Sequence, residues 1–194
     1  MNSQLRFDSV DALRGMTVAA MLLVNNPGDW GHVYAPLLHS EWHGCTPTDL
    51  VFPFFLFIVG LSLALGIVPR AEAGADIPAL RRSVLLRAAK IIGLGLTLHV
   101  LAFLLLDMAW FRPWGVLQRI GLCFGAVGLL ALVTHARAQW SLIAAILLGY
   151  WGLLAAGGTF EPWINLASRV DTALLGPMVY QFDPATGLGH EPEG

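Results

Sequence analysis

Charge is scarce in this chain. Only 12% of its residues are Asp, Glu, Lys or Arg, against 56% hydrophobic, and the mean hydropathy is +0.66. A soluble domain of this length carries roughly twice that charge fraction. The surplus apolar surface therefore needs lipid as its solvent. The net charge is −2 and no basic cluster occurs, which excludes a nucleic-acid binder. Cysteine is nearly absent. Cys45 and Cys123 form neither a disulfide framework nor a metal-ligand spacing. Cys123 lies in an apolar segment and reads as a small packing residue, and Cys45 reads as a loop thiol. The period-two alternation of a membrane barrel is missing. So is the pattern of a cleavable signal peptide, because acids flank the N-terminal arginines and apolar segments recur along the whole chain.

What is present is a series of long apolar stretches. Leu50 to Val68 is 19 residues without a charge, matching the roughly 20 that a spanning helix needs. Five such segments are expected, at about 12–28, 50–69, 86–106, 115–134 and 139–157. Each must satisfy its backbone internally, so each is read as a helix. The fold class is all-α, a polytopic integral membrane protein with about five transmembrane helices. The glycine- and proline-rich stretch 158–194 reads as a loop. An odd number of crossings followed by such a tail points to a fragment of a larger bundle.

Arginine and lysine set the expected orientation. Arg6, Arg14, Arg70, Arg81, Arg82, Arg87, Lys90 and Arg137 fall at one set of helix ends, and Arg112, Arg119 and Arg169 at the other. The positive-inside rule then places the N-terminus and the 70–85 loop in the cytoplasm. The 27–48 loop and the tail face the opposite side, together with Trp30, Trp42, Trp110, Trp114 and Trp163. An Arg-over-Lys, Ala- and Gly-rich composition points to a bacterial inner membrane.

Several polar groups stand out against this background. The densest runs from His39 through Glu41, Trp42, His43 and Cys45 to Asp49, directly before the clearest spanning segment. Histidine suits proton abstraction near neutral pH. Asp49 reads either as a helix cap or as the carboxylate that orients a histidine. His39 and His43 are four apart, but the HExxH pattern is absent, and no metal is expected. In RFDSVDALRG at 6–15, Asp8 or Ser9 caps a helix, or the arginines form a rim for an anionic cofactor. Asn25 and Asn26 precede Pro27-Gly28; they terminate the first helix, or Asn25 donates to a reacting carbonyl oxygen. His99 and Arg119 are ionisable groups inside apolar segments, where such residues usually face the bundle interior. Arg119 instead snorkels if it lies near the interface.

In this order, R-x-x-S-x-D-A-x-R-G, V-N, H-x-x-W-x-G-x-T-x-x-D-L-V-F-P and L-Q-R-I resemble the heparan-alpha-glucosaminide N-acetyltransferase family. The resemblance covers nearly all 194 residues but only the N-terminal half of a member. It implies transfer of an acetyl group from cytoplasmic acetyl-CoA to an amino sugar across the membrane, by an enzyme of which this fragment alone would be inactive. His39 matches the family's catalytic histidine and Asn25 its asparagine. Asp49 and Trp42 match further family positions. The family often has Asn before the motif glycine, where this chain has His43, so the acceptor contacts differ here.

Together these readings assign His39, Asn25 and Asp49 to catalysis, and Trp42, Glu41 and His43 to the substrate. Arg14, Arg87, Lys90 and Arg119 are assigned to the phosphates of acetyl-CoA, which need guanidinium or ammonium partners. The expected partners are membrane lipid, acetyl-CoA, an amino sugar and, as an option, a second copy of the chain. The competing reading is a permease for N-acetylglucosamine-type sugars, since glycine-interrupted helices with mid-membrane polar groups also suit a carrier. A purely structural membrane subunit would explain the helices but not the His39–Asp49 cluster.

Overall fold

A computed structural model describes residues 8–106 and 108–191. Arg6, at the head of the first motif, lies outside them. The chain is helical, in two compact units that divide between Ala75 and Asp76.

The first unit holds α1 (Asp8–Asn25), α2 (Pro47–Gly66) and the short α3 (Val68–Glu72). α1 begins before the expected residue 12, with Asp8 and Asp11 in its first turn, where acids complement the helix dipole. It stops at Asn25 because Pro27 follows and Gly28 turns the chain at φ +82°. Arg14 of α1 donates to Ser62 Oγ near the far end of α2 at 2.8 Å, so the two helices run antiparallel. A 3-10 turn at Ala35–Leu37 lies in the loop between them.

The second unit is built on α4 (Ile77–Leu105) and α5 (Val116–Ala131), followed by α6 (Ala136–Ala156) and α7 (Leu166–Leu175). α4 starts nine residues earlier than expected, since Asp76 Oδ2 accepts from the Ala79 amide at 3.3 Å and caps it. Its 29 residues make it about 43 Å long, so its charged first turns extend beyond the hydrocarbon core. α4 and α5 approach closely through small residues four apart, the pattern of helix pairs in lipid. A Cβ on Gly121 would stand 2.6 Å from Ile92 Cγ1 and 3.0 Å from the Ala88 carbonyl oxygen; one on Gly125 would stand 3.2 Å from Ala88 Cβ.

Among the described residues, three helical stretches are long and apolar enough to cross a membrane: Pro47–Glu72, Ile77–Leu105 and Ala136–Ala156. α5 is apolar but shorter, at 16 residues. α1, with 18 residues, includes Asp8, Asp11 and Arg14. Hydroxyls are satisfied locally: Thr17, Ser62, Thr97 and Ser141 on the helices, and Thr134 just past α5, each donate to the carbonyl four residues back. α6 has no buried residue, and Leu147, Leu148, Trp151 and Leu153 stand exposed, a surface suited to lipid or further helices.

The stretch after 158, read as loop, carries more order than its glycines and prolines imply. α7 is capped by Asn165 Oδ1, which accepts from the Ser168 amide at 2.8 Å. Beyond it, β1 (Gln181–Asp183) and β2 (Leu188–His190) form an antiparallel hairpin with Phe182 opposite Gly189. The Gly189 amide donates to Thr172 Oγ1 at 2.8 Å, docking the hairpin on α7.

Candidate active site

The loop before α2 is stitched to the start of that helix. Thr46 is the N-cap and Asp49 the third helical residue, so Asp49 is not itself the cap. Asp49 Oδ2 accepts from the Thr46 amide at 2.8 Å, the return half of a capping box. The same oxygen accepts from the Ser40 amide at 3.3 Å. Thr46 Oγ1 donates to the Leu38 carbonyl at 2.7 Å, and Thr48 Oγ1 to the Pro36 carbonyl at 3.2 Å. Gly44, at φ +136°, lets the loop double back until its missing Cβ would touch Ser40. One carboxylate therefore organises the loop that carries His39.

The other oxygen of that carboxylate holds the histidine. His39 Nδ1 lies 2.6 Å from Asp49 Oδ1. The contact is short, in the direction that an ionised acceptor shortens a hydrogen bond. With Nδ1–H given to the carboxylate, Nε2 becomes the basic nitrogen of the ring. The Asp49 side chain is three-quarters buried, while the His39 side chain is 66% exposed. The arrangement pairs a fixed anion with an accessible imidazole edge, able to take a proton or an acyl group.

The other sequence candidates take varied places. Asn25 closes α1 and is exposed; among the described residues no hydrogen bond joins it to His39 or Asp49. Trp42 is half-buried, whereas Glu41 and His43 are exposed in the same loop. Arg14 pairs with Asp11 at 2.9 Å as well as with Ser62. Arg87 and Lys90 are exposed three residues apart on α4, and so share a helix face. A second pair, His32 Nδ1 with Asp29 Oδ2 at 2.6 Å, sits in the exposed loop after α1. The Asp29 carboxyl is held below its ordinary value, first by His32 and then by the Gly31 amide. No group of three or more metal-ligating side chains assembles among the described residues.

Arg119 proves to be part of a buried polar cluster in the second unit. Glu191, whose side chain is 1% exposed, accepts through Oε1 from Arg112 and lies 3.2 Å from Arg119 Nη2. Its Oε2 accepts from the Tyr180 amide at 3.0 Å. The Arg112 guanidinium covers the Tyr180 ring at 4.7 Å, and that of Arg119 lies over Trp114 at 5.9 Å. His99 Nδ1 donates to the Arg112 carbonyl, and Gln118 lies alongside with its Nε2 3.5 Å away. Gly115 admits that imidazole, since a Cβ there would stand 2.3 Å from His99 Cε1. Burial pushes the Asp171 carboxyl up, while the charges of Arg119 and His190 pull it down. Burial pushes His190 down, with Asp171 opposing.

Sequence reasoning singled out His99 and Arg119 but missed Glu191 and the role of Arg112. The available signal was Arg119 itself. A buried guanidinium demands a counter-ion, and the acids of the tail are few enough to test in turn.

The sequence matches the family model described as heparan-alpha-glucosaminide N-acetyltransferase, catalytic, over residues 6–180. It is similar to heparan-alpha-glucosaminide N-acetyltransferase of Homo sapiens, with 29% identity over 238 residues, covering 97% of this chain and 35% of the human protein. The Mus musculus protein of the same name is 33% identical over 127 residues, covering 64% of this chain and 19% of that protein. The chain thus spans about a third of the length of its human relative.

Proposed function

The chain belongs to the heparan-alpha-glucosaminide N-acetyltransferase family, and from that membership we propose that it forms part of a membrane N-acetyltransferase. The donor is cytoplasmic acetyl-CoA, and the acceptor is the amine of a glucosamine-type sugar on the far side. The bias of arginine and lysine supports a cytoplasmic N-terminus and an outward-facing His39 loop. The composition supports a bacterial inner membrane.

The observation that carries this reading is the His39–Asp49 pair. In the proposed reaction the acceptor amine attacks the thioester carbonyl carbon, the C–N bond forms and the C–S bond breaks. The amine's proton passes to His39 Nε2 and from there to the departing thiolate. Asp49 holds the ring and stabilises the imidazolium. Asn25 donates to the carbonyl oxygen as negative charge develops on it. Nε2 is equally placed to carry the acetyl group itself; acid quenching with labelled donor separates the two routes by trapping, or failing to trap, an acetyl-protein.

Trp42, Glu41 and His43 are proposed to contact the acceptor. Arg14, Arg87 and Lys90 are proposed for the phosphates of the donor. Arg119, already paired with Glu191, is reassigned from phosphate binding to bracing the start of α5.

The test uses the full-length protein in sealed vesicles, with labelled acetyl-CoA and glucosamine. Acetylated sugar formed only when acetyl-CoA is supplied supports the enzyme. Sugar uptake without acetyl-CoA, and without any acetylated product, replaces it with the permease.

A further inference from the structure

One end of the second unit is strongly basic. Arg81, Arg82, Arg87 and Lys90 lie in the first half of α4, and Arg137 in the first turn of α6. α5 runs antiparallel to α4, since a Cβ on Gly115 would meet His99 and one on Gly125 would meet Ala88. The last turn of α5 therefore lies toward the start of α4. Gln139 Nε2 donates to the Thr134 carbonyl at 3.4 Å and ties the turn after α5 to the start of α6. The sequence has no acid from 77 to 106 or from 108 to 160. Asp76 supplies the one nearby carboxylate on α4, and its Oδ2 is engaged by the Ala79 amide as a cap. Among the described residues no hydrogen bond or ion pair engages the side chains of Arg81, Arg82 or Arg137.

The length of α4 sets the depth of these cations. Counting about 30 Å of hydrocarbon back from Leu105, at about 1.5 Å per residue, reaches Leu85. Leu85 and Leu86 stand exposed, as lipid-facing leucines at that edge should. Arg81 and Arg82 lie about one turn, roughly 5 Å, further out, in the layer of headgroups and phosphates. This overhang is packed, because Leu80 and Val84 are 3% and 0% exposed. The arginines thus stand on a fixed rod. α6, with 21 residues, is about 31 Å long and matches the same thickness. Its Arg137 falls at the edge, and Trp140 is exposed one turn inside, the usual place of an interfacial indole.

The directions of the cations indicate the occupant. Neighbouring helical residues diverge by about 100°, so Arg81 and Arg82 do not converge on one soluble ligand. Arg87 and Lys90 do share a face and stay with the donor phosphates. Divergent guanidiniums at phosphate depth suit separate headgroups around the helix, since a guanidinium pairs bidentately with a phosphate. A zwitterionic headgroup carries its own ammonium and competes with the arginine for that phosphate. An anionic headgroup does not. We propose that Arg81, Arg82 and Arg137 form a binding surface for anionic phospholipid, each guanidinium pairing with a phosphodiester headgroup. Lipid held there fixes the depth of α4 in the bilayer. The surface lies wholly in the second unit and works whether or not the chain transfers acetyl groups.

The experiment counts bound lipid. Full-length protein in a neutral detergent is mixed with equimolar phosphatidylglycerol and phosphatidylcholine of the same acyl chains, and retained lipid is measured by native mass spectrometry. The wild type is expected to retain phosphatidylglycerol in preference. Arg81→Gln with Arg82→Gln is expected to lose about thirtyfold of that preference, the worth of two cations at an anionic surface. Arg137→Gln should lose about fivefold, the worth of one. Glutamine and lysine are close to arginine in helix propensity, so the exposed positions should tolerate them, and thermal unfolding checks this. Arg81→Lys with Arg82→Lys should keep most of the preference. Arg169→Gln, which removes an exposed cation from α7, should keep all of it. Inorganic phosphate should not displace the lipid. Equal retention of the two lipids by the wild type overturns the surface, as does an unchanged preference in both the double glutamine variant and Arg137→Gln. A loss in Arg169→Gln as large as in Arg137→Gln overturns it in favour of net charge alone. Loss in the lysine pair equal to that in the glutamine pair also overturns it, and displacement by inorganic phosphate assigns the arginines to a soluble anion instead.

Discussion

Asp49 binds His39 with one carboxylate oxygen and the backbone of His39's own loop with the other, through the Ser40 and Thr46 amides. The residue that orients the imidazole therefore also builds the loop that carries it. Asp49→Asn should uncouple these roles. The amide oxygen still accepts from the Thr46 amide, so the loop persists, but the anion that stabilises the imidazolium is gone. We expect the acetylation rate to fall roughly 10²–10⁴-fold, the usual worth of a positioned acid–base group, with little change in thermal stability. A rate within a few fold of wild type would remove Asp49 from the mechanism.

Glu191 is the shared counter-ion of Arg112 and Arg119. Glu191→Leu removes one side of a buried ionic cluster, which typically costs about 3–5 kcal/mol. The triple change Arg112→Met, Arg119→Met, Glu191→Leu should recover most of that loss, since an apolar core of similar volume avoids desolvating the charges. Thermal unfolding in detergent compares the three proteins. A stable Glu191→Leu protein would show that the cluster does not hold the tail in place.

Gly121 and Gly149 offer a matched pair of substitutions. Leucine at Gly121 meets Ile92 and the Ala88 backbone, whereas nothing lies within 4 Å of a Cβ on Gly149. Gly121→Leu should force α4 and α5 apart, at a cost of about 1–3 kcal/mol or more. Gly149→Leu should leave stability unchanged or raise it slightly through better helix propensity. Equal melting temperatures for the two variants would contradict the close packing of α4 on α5.

The hairpin should loosen in acid. Burial depresses His190 in the folded state, so the unfolded chain takes up that proton first as pH falls. The contribution of His190 to stability is complete above the ordinary imidazole value and declines as pH drops below it toward the folded value. Hydrogen exchange at the Gly189 amide, which donates to Thr172, should speed up across that window. His190→Gln should flatten the response; an unchanged profile in that variant would place the acid sensitivity elsewhere.

The clearest spanning segment was legible because the sequence is plain about it. Nineteen charge-free residues follow a Thr-Pro-x-Asp start, and both length and cap are local properties. The start of α4 was less legible, because Arg81, Arg82 and Arg87 obscure a helix that continues past the apolar core into water. The tail misled for a similar reason. Its glycines and prolines punctuate short elements, and hydrophobic periodicity says little about a ten-residue helix or three-residue strands. Within the site, His39 and Asp49 lie ten positions apart, across loop and helix start. No fixed period predicts that contact, so it was reached through triad logic and family motifs. Glu191 lies 79 positions from Arg112, and only the tertiary fold brings the two together.

The most direct test of the account is a single comparison. The full-length protein and its His39→Ala variant, both reconstituted in lipid, receive labelled acetyl-CoA and glucosamine. We expect N-acetylated sugar from the wild type and a loss of at least about 10²-fold in the variant, with equal amounts of folded, membrane-inserted protein. A variant that acetylates glucosamine at the wild-type rate would contradict the central claim that His39 performs the transfer.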